Sequence, residues 1–244
     1  MESTTTTDWK EEDLRSSTTE NLRSSTTEGS TFHTIIRTAI TYNPSWLYEA
    51  SKRLLDVVLA TFGLVVLLPI FLIIAVGIKL EGGGSIFYSR EMIGLNGRRF
   101  MMLKFRTMIS NADAYLELRP KLKLEFQENM KLHHDPRTTR FGTLLRKIYL
   151  DELPQLLHVL AGQMSLVGPR TIHERELILY GEYAEKRHSV KPGITGLWQI
   201  SPNKYGCYED RIPLDMHYID HRSFFLDMSI LLKTLKVFIN PTGI

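Results

Sequence analysis

The sequence predicts a mainly helical α/β fold, associated with a membrane through one apolar helix near its N-terminal side. Three observations carry this. Val57–Ile78 contains no charged residue, short β-like runs punctuated by glycines follow it, and helix-patterned segments fill most of the remaining chain. The 244 residues suffice for one domain with appendages, and 43% hydrophobic against 23% charged residues allows a buried core. A net charge of +3 and a pI near 8.9 suit an anionic lipid surface or phosphate-bearing ligands and do not call for nucleic acid. Cys207 is the single cysteine, so neither an intrachain disulfide nor a cysteine-rich zinc site is available, in keeping with a reducing compartment.

Residues 1–44 read as a disordered Ser/Thr-rich tail. The heptapeptide Leu-Arg-Ser-Ser-Thr-Thr-Glu occurs at Leu14–Glu20 and again at Leu22–Glu28, and such a tract has too little apolar surface to offset its ordering entropy. Its polar, acidic start does not match a cleavable signal peptide.

Residues 45–80 form the membrane segment. At 1.5 Å per residue, Val57–Ile78 makes roughly 33 Å of helix, enough to cross a hydrocarbon core of about 30 Å. Pro69 lies just past the middle, where it removes a backbone hydrogen bond and crowds the preceding turn. Both flanks are cationic, with Lys52 and Arg53 before and Lys79, Arg90, Arg98 and Arg99 after. The residues therefore admit either a kinked span or a re-entrant helix-break-helix with both ends on one side.

Residues 81–244 read as globular. Ile86–Arg90 and Phe100–Met108 pattern as strands, and Gly82-Gly83-Gly84 lacks the following Lys-Ser/Thr of a phosphate-cradling loop. Helices are expected over Ala112–Met130 with a break at Pro120, over Phe141–Ile148, over Glu152–Leu160 closed by Gly162, and over Ile172–Lys186. A strand is expected at Met164–Val167, and Phe224–Phe238 patterns as an amphipathic helix that can lie in the lipid interface.

Several clusters can carry chemistry, each with a plainer reading. Asp151 before a helical run with Pro154 in its first turn reads as an N-cap, yet the adjacent Asp151 and Glu152 also offer a nucleophile at phosphorus beside a ligand for a hard cation. Arg170 after Gly168-Pro169 is either a solvated turn residue or a bidentate phosphate ligand. Lys104 and Arg106 share one face of a strand, as a phosphate platform or as its wet side. Lys191-Pro192-Gly193 is a turn by itself. His133-His134-Asp135 reads as a solvated loop. His217 and His221, four apart with Asp220 between, faintly suggest a zinc helix but lack the usual glutamate and a third ligand.

Taken in order, seven motifs resemble the bacterial sugar transferase family, the monotopic polyprenyl-phosphate phosphoglycosyl transferases, in its short form. They are Lys52-Arg53-Leu54-Leu55-Asp56, Phe87-Tyr88-Ser89-Arg90, Lys104-Phe105-Arg106-Thr107-Met108, Leu150-Asp151-Glu152-Leu153-Pro154-Gln155, Ser165-Leu166-Val167-Gly168-Pro169-Arg170, Lys191-Pro192-Gly193-Ile194-Thr195-Gly196 and Leu214-Asp215-Met216-His217-Tyr218. The resemblance implies that residues 81–244 are a cytoplasmic catalytic domain at the bacterial inner membrane and that residues 45–80 are re-entrant. It implies transfer of a sugar 1-phosphate from a UDP-sugar to undecaprenyl phosphate, releasing UMP and starting exopolysaccharide, capsule, O-antigen or glycoprotein glycan assembly. Asp151 is then the nucleophile that holds the phosphosugar. Glu152, with Asp151, binds Mg²⁺, and Lys104, Arg106, Pro169, Arg170, Lys191 and Asp215 bind substrate or phosphate. Lys52, Arg53 and Asp56 anchor the membrane helix and Pro69 kinks it, while downstream glycosyltransferases are a class of protein partner. Leu68, Thr171 and Ser201-Pro202-Asn203-Lys204 depart from the family's usual residues, the last where contacts to the sugar nucleotide are expected. Two other readings are a catalytically silent membrane adaptor of the same fold and a metallohydrolase built on His217 and His221.

Overall fold

A computed structural model describes residues 45–129, 132, 135–202 and 208–239. The expected disordered tail, His133-His134 and the departure at Asn203-Lys204 lie outside them. The architecture is mainly helical with two small two-stranded sheets.

The longest element, α1 (Trp46–Gly82), is capped by Ser45, whose side chain accepts from the Tyr48 N–H, and runs as one helix through Pro69. An interruption at the proline was expected and none is present in this element. One stripe of α1 faces the protein. Ala60, Leu64 and Leu67 join the main core with Phe100, Leu156, Val159, Met164 and Ile230. Ile70, Phe71, Ile74 and Ile78 join a second cluster with Phe105, Leu145 and Phe141. The opposite face, including Val58, Phe62, Val65, Leu72, Ile73 and Val76, is exposed and apolar apart from Thr61. A face of this extent has no favourable partner in water, so α1 associates with a membrane.

Strands β1 (Phe87–Ile93) and β2 (Arg99–Phe105) form an antiparallel hairpin with Tyr88 opposite Lys104. β2 ends at Phe105, three residues before the expected end, where the ring stacks on Phe87 at 5.4 Å and meets Phe71 of α1 edge-on at 5.1 Å. Helices α2 (Ala112–Glu117) and α3 (Pro120–Asn129) are divided at Pro120 as expected. Next come α4 (Arg140–Lys147), a 3₁₀ turn at Leu150–Glu152 and α5 (Gln155–Leu160).

Beyond α5, β3 (Ser165–Val167) pairs in parallel with β4 (Gly193–Thr195). The single helix expected over Ile172–Lys186 is instead α6 (Glu174–Leu177), a 3₁₀ segment and α7 (Ala184–His188). Gly181, at φ +49°, takes a left-handed conformation that ends one helix and redirects the next. α8 (Leu197–Ile200), α9 (Tyr208–His221) and α10 (Phe224–Ile239) complete the described chain.

β3 and β4 bring two sequence motifs into close register. A Cβ on Gly193 or on Gly196 would collide with the backbone of Gly168, and a Cβ on Gly168 would lie 2.6 Å from the Lys191 carbonyl. The glycines of Gly168-Pro169-Arg170 and of Lys191–Gly196 are thus required by one backbone crossing, which sets where Arg170 leaves β3.

Candidate active site

Asp151 and Glu152 stand on the 3₁₀ turn between α4 and α5, just after Tyr149, which takes φ +57°. A left-handed tyrosine is strained and must be held by its surroundings. Asp151 is not a helix cap: α5 begins after Pro154, without a side-chain cap.

Three elements meet at the turn. Lys104 Nζ, from β2, donates to Glu152 Oε1 at 2.7 Å, and Arg170, from the loop after β3, donates to the same oxygen at 3.0 Å. Burial would raise the Glu152 carboxyl, but Arg170 and Lys104 outweigh it and hold the group down at about 2. Asp151 contrasts with its neighbour. It is 9% exposed and accepts no hydrogen bond from the described residues. Burial, followed by the adjacent Glu152 charge, raises its carboxyl above the usual range, against the pull of Lys104, Arg146 and Arg170. The site thus holds one locked carboxylate and one unengaged carboxylate side by side.

Not every expected ligand converges here. Arg106 turns away to the exit of α1, bonding the Gly83 carbonyl and, at 3.1 Å, Ser110 Oγ. β2 has ended at Phe105, so the strand alternation that would align Arg106 with Lys104 does not extend to it. Lys191 lines a cavity with Lys52, Arg53 and Arg222, a lining that shares no residue with the carboxylate turn. Asp215 is 2% exposed, accepting from Tyr180 Oη at 2.6 Å and Arg211 Nε at 3.3 Å. It acts below the Arg170 loop, where Arg211 donates to the Arg170 carbonyl at 2.9 Å. The Pro169 carbonyl accepts from Gly193 N at 2.9 Å and from Arg187 at 3.3 Å, so Pro169 contributes backbone positioning.

The anchor residues tie α1 to the domain. Lys52 bonds Asp227 at 2.8 Å and the Val167 carbonyl at 2.9 Å, and Arg53 donates to the Val159 and Leu160 carbonyls at 2.6 and 2.8 Å. The latter is a cation satisfying the C-terminus of α5. Asp56 accepts from Leu166 N at 2.9 Å and Ser165 Oγ at 3.1 Å. At the other end of α1, Glu81 accepts the Phe141 N–H at 2.9 Å.

Residues 47–241 match the model of a family described as bacterial sugar transferase. The chain belongs to the bacterial sugar transferase family. It is an enzyme of the phosphoglycosyl transferase type. It is 45% identical over 189 residues to the exopolysaccharide production protein ExoY of Sinorhizobium fredii, covering 76% of this chain and 84% of that one. It is similar to the undecaprenyl-phosphate galactose phosphotransferase of Salmonella typhimurium, 38% identical over 79% of this chain and 41% of the relative. The UDP-glucose:undecaprenyl-phosphate glucose-1-phosphate transferase of Xanthomonas campestris is 37% identical over 77% of this chain and 38% of that protein.

In this transferase, four supporting residues escaped the sequence reading. Arg187, fully buried, donates to the Arg170 carbonyl at 2.6 Å and so clamps the loop together with Arg211. Arg146 Nε donates to Thr107 Oγ1 at 2.9 Å, which holds a further cation beside Asp151. His158 Nε2 accepts the Leu103 N–H at 3.0 Å, while its Nδ1 meets Gln163 Oε1 at 2.6 Å. That pairing assigns the proton to Nδ1 and fixes β2 one residue before Lys104. Arg187 and Arg211 sit in polar stretches that sequence pattern assigns to the surface; only the tertiary arrangement buries them.

Among the described residues no group of three or more His, Cys, Asp or Glu is gathered to hold a metal, and His217 and His221 instead stack on each other at 4.2 Å. Mg²⁺ needs no such cage, since it keeps several waters and is commonly held by one or two carboxylates together with substrate phosphates. The adjacent Asp151 and Glu152 fit that donor set.

Proposed function

We propose that this transferase moves a sugar 1-phosphate from a UDP-sugar to undecaprenyl phosphate, the acceptor for which two relatives are named, through a phosphosugar held covalently on Asp151. The observation that carries the reading is the division between the two carboxylates. Glu152 is neutralised by Lys104 and Arg170, whereas Asp151 beside it accepts no hydrogen bond from the described residues.

A carboxylate oxygen of Asp151 attacks the β-phosphorus of the donor, a P–O bond forms, and the bridging P–O bond breaks with its electrons leaving on UMP. An oxygen of undecaprenyl phosphate then attacks the same phosphorus and displaces the Asp151 carboxylate, giving the undecaprenyl diphosphate sugar. Arg170 and Lys104 face the phosphoryl oxygens, and Arg187 and Arg211 keep Arg170 in place through its carbonyl. Glu152 and Asp151 would hold Mg²⁺, which would supply charge against that building on the phosphoryl oxygens.

The same proposal covers topology. Both ends of α1 are tied to one polar domain, by Lys52, Arg53 and Asp56 at one end and by Glu81 at the other. A spanning α1 would separate these ends by about 30 Å of hydrocarbon. The reading is therefore a helix that is embedded in the inner membrane from one side, unbroken at Pro69, with the domain on the cytoplasmic face. The apolar face of α10, with Phe225, Leu232 and Leu235 exposed, rests in the lipid interface beside it.

The deciding experiment is UMP release from a panel of UDP-sugars with undecaprenyl phosphate and Mg²⁺, combined with trapping of the protein-bound phosphosugar. Lipid-dependent turnover with a ³²P-labelled adduct on Asp151 is expected. Turnover unchanged in Asp151→Asn would remove the nucleophile from the reading. For topology, a cysteine placed at Ser45 should resist a membrane-impermeant maleimide added outside spheroplasts.

A further inference from the structure

A cavity of about 200 Å³ opens beside the first turns of α1. Four cations, Lys52, Arg53, Lys191 and Arg222, line it against two carboxylates, Glu49 and Asp56. The carboxylates offset part of this charge at Lys191, Asp56 more than Glu49, but each has partners of its own. Asp56 is turned to β3, where it accepts from Ser165 and Leu166. Glu49 is 57% exposed and 3.9 Å from Arg222 Nε, a pair that water screens.

The cations are not equivalent. Lys52 is held by Asp227 and the Val167 carbonyl, and Arg53 by the carbonyls that end α5. Arg222 donates to the Ile219 carbonyl. Lys191 differs, because its half-buried ammonium bonds no carboxylate or carbonyl among the described residues. Burial, then Arg53 and Lys52, hold that ammonium below the usual lysine range, against the pull of Asp56 and Glu49. Gathering a cation among cations is unfavourable unless an anion joins them.

Location narrows the choice of anion. The uncharged run begins at Val57, directly after Asp56, so the cavity lies where α1 passes from water into hydrocarbon. Lipid phosphates occupy that level. A single water needs roughly 10–15 Å³ of such a cavity, so a phosphate group and several waters fit. An ammonium with three rotatable donors suits a phosphate that presents its oxygens in more than one orientation.

We infer that this cavity is a phosphate-binding site at the membrane surface, separate from the Asp151 turn, with Lys191 as direct ligand and Lys52, Arg53 and Arg222 supplying the surrounding positive charge. The ligand class is a phosphate ester such as a lipid headgroup presents. The inference rests on the cavity and does not require the proposed transfer chemistry.

The test uses the full chain in maltoside micelles, which contain no phosphate, and reads acetylation of Lys191 by mass spectrometry with the exposed Lys147 as internal reference. Phosphatidylglycerol mixed into the micelles should slow Lys191 acetylation at least fivefold while leaving Lys147 unchanged. The same protection by millimolar inorganic phosphate, without lipid, would support the site and identify a free anion as its ligand. Protection by neither probe overturns the inference. A second measurement guards against indirect shielding: phosphatidylglycerol should raise the Tm of the wild type and not that of Lys191→Gln. An equal rise in both overturns it.

Discussion

The carboxylate turn and the base of α1 are built from the same ingredients with opposite balance. At the turn, Lys104 and Arg170 converge on a single oxygen of Glu152, and the neighbouring Asp151 has no hydrogen-bond donor among the described residues. At the base of α1, Asp227 gathers Lys52, Tyr48 and Tyr218 at 2.8–3.0 Å, Asp56 is satisfied by β3, and the Lys191 ammonium has no hydrogen-bond partner among the described residues. One region therefore retains a spare anion and the other a spare cation. In each, the paired groups fix the geometry around the unsaturated one, and at the turn Glu152 Oε2 and the remaining donors of Lys104 and Arg170 stay available beside Asp151. A substitution should accordingly cost activity at the first region and stability at the second.

The sharpest way to break this contrast is to exchange the spare anion. Asp151→Asn should lower turnover by roughly 10⁴-fold or more, read as UMP release. It should also raise the Tm at pH 8. The folded protein keeps the Asp151 carboxyl above its unfolded range, so the ionised form opposes folding, with the penalty absent at low pH and growing as pH rises through the raised value. A falling Tm would show that Asp151 is a structural carboxylate after all.

Asp227→Asn tests the other side. Asp227 is 2% exposed, and its loss leaves Lys52 without its buried partner, so unfolding stability should drop by about 3 kcal/mol in chemical denaturation. If stability is unchanged and activity is lost instead, the division between the regions fails.

His158→Ala comes next in size. It leaves the Leu103 N–H without its acceptor, at about 1–2 kcal/mol, and loosens β2 beside Lys104. His158→Gln, which can still accept that hydrogen bond, should restore most of both stability and kcat. Failure of the glutamine to do so would show that the ring's packing on Phe100, at 5.3 Å, matters more than its nitrogen.

The smallest effect is in the pH profile. Only the ionised Asp151 attacks phosphorus, so turnover should fall with acidification along a limb above the ordinary carboxylate range, while Glu152, held at about 2, adds no limb near neutrality. Replacing Arg170 with lysine, which lacks the planar fork, should move that limb.

Much of this site was legible in the chain because it is local. Asp151 and Glu152 are adjacent in sequence, and Val57–Ile78 declares its solvent by composition alone. Lys104 and Arg170 were visible as candidates through motif order. Arg106, Lys191 and Asp215 belonged to the same motifs yet stand elsewhere. The end of β2 at Phe105 releases Arg106 to the exit of α1, and the Gly168/Gly193 crossing carries the Lys191 side chain to Arg53.

The sequence by itself determined the apolar helix, the paired carboxylates, the break at Pro120 and the glycines that a tight crossing demands. These depend on composition or on neighbours a few residues apart. Only the tertiary structure decided that Glu152 would be the carboxylate neutralised and Asp151 the one left unengaged. It alone decided that Arg187 and Arg211 would be buried beneath Arg170, and that α1 would lie along two clusters with both ends on one domain. Pairing and desolvation depend on which distant side chains share a volume, and periodicity along a chain carries no record of that.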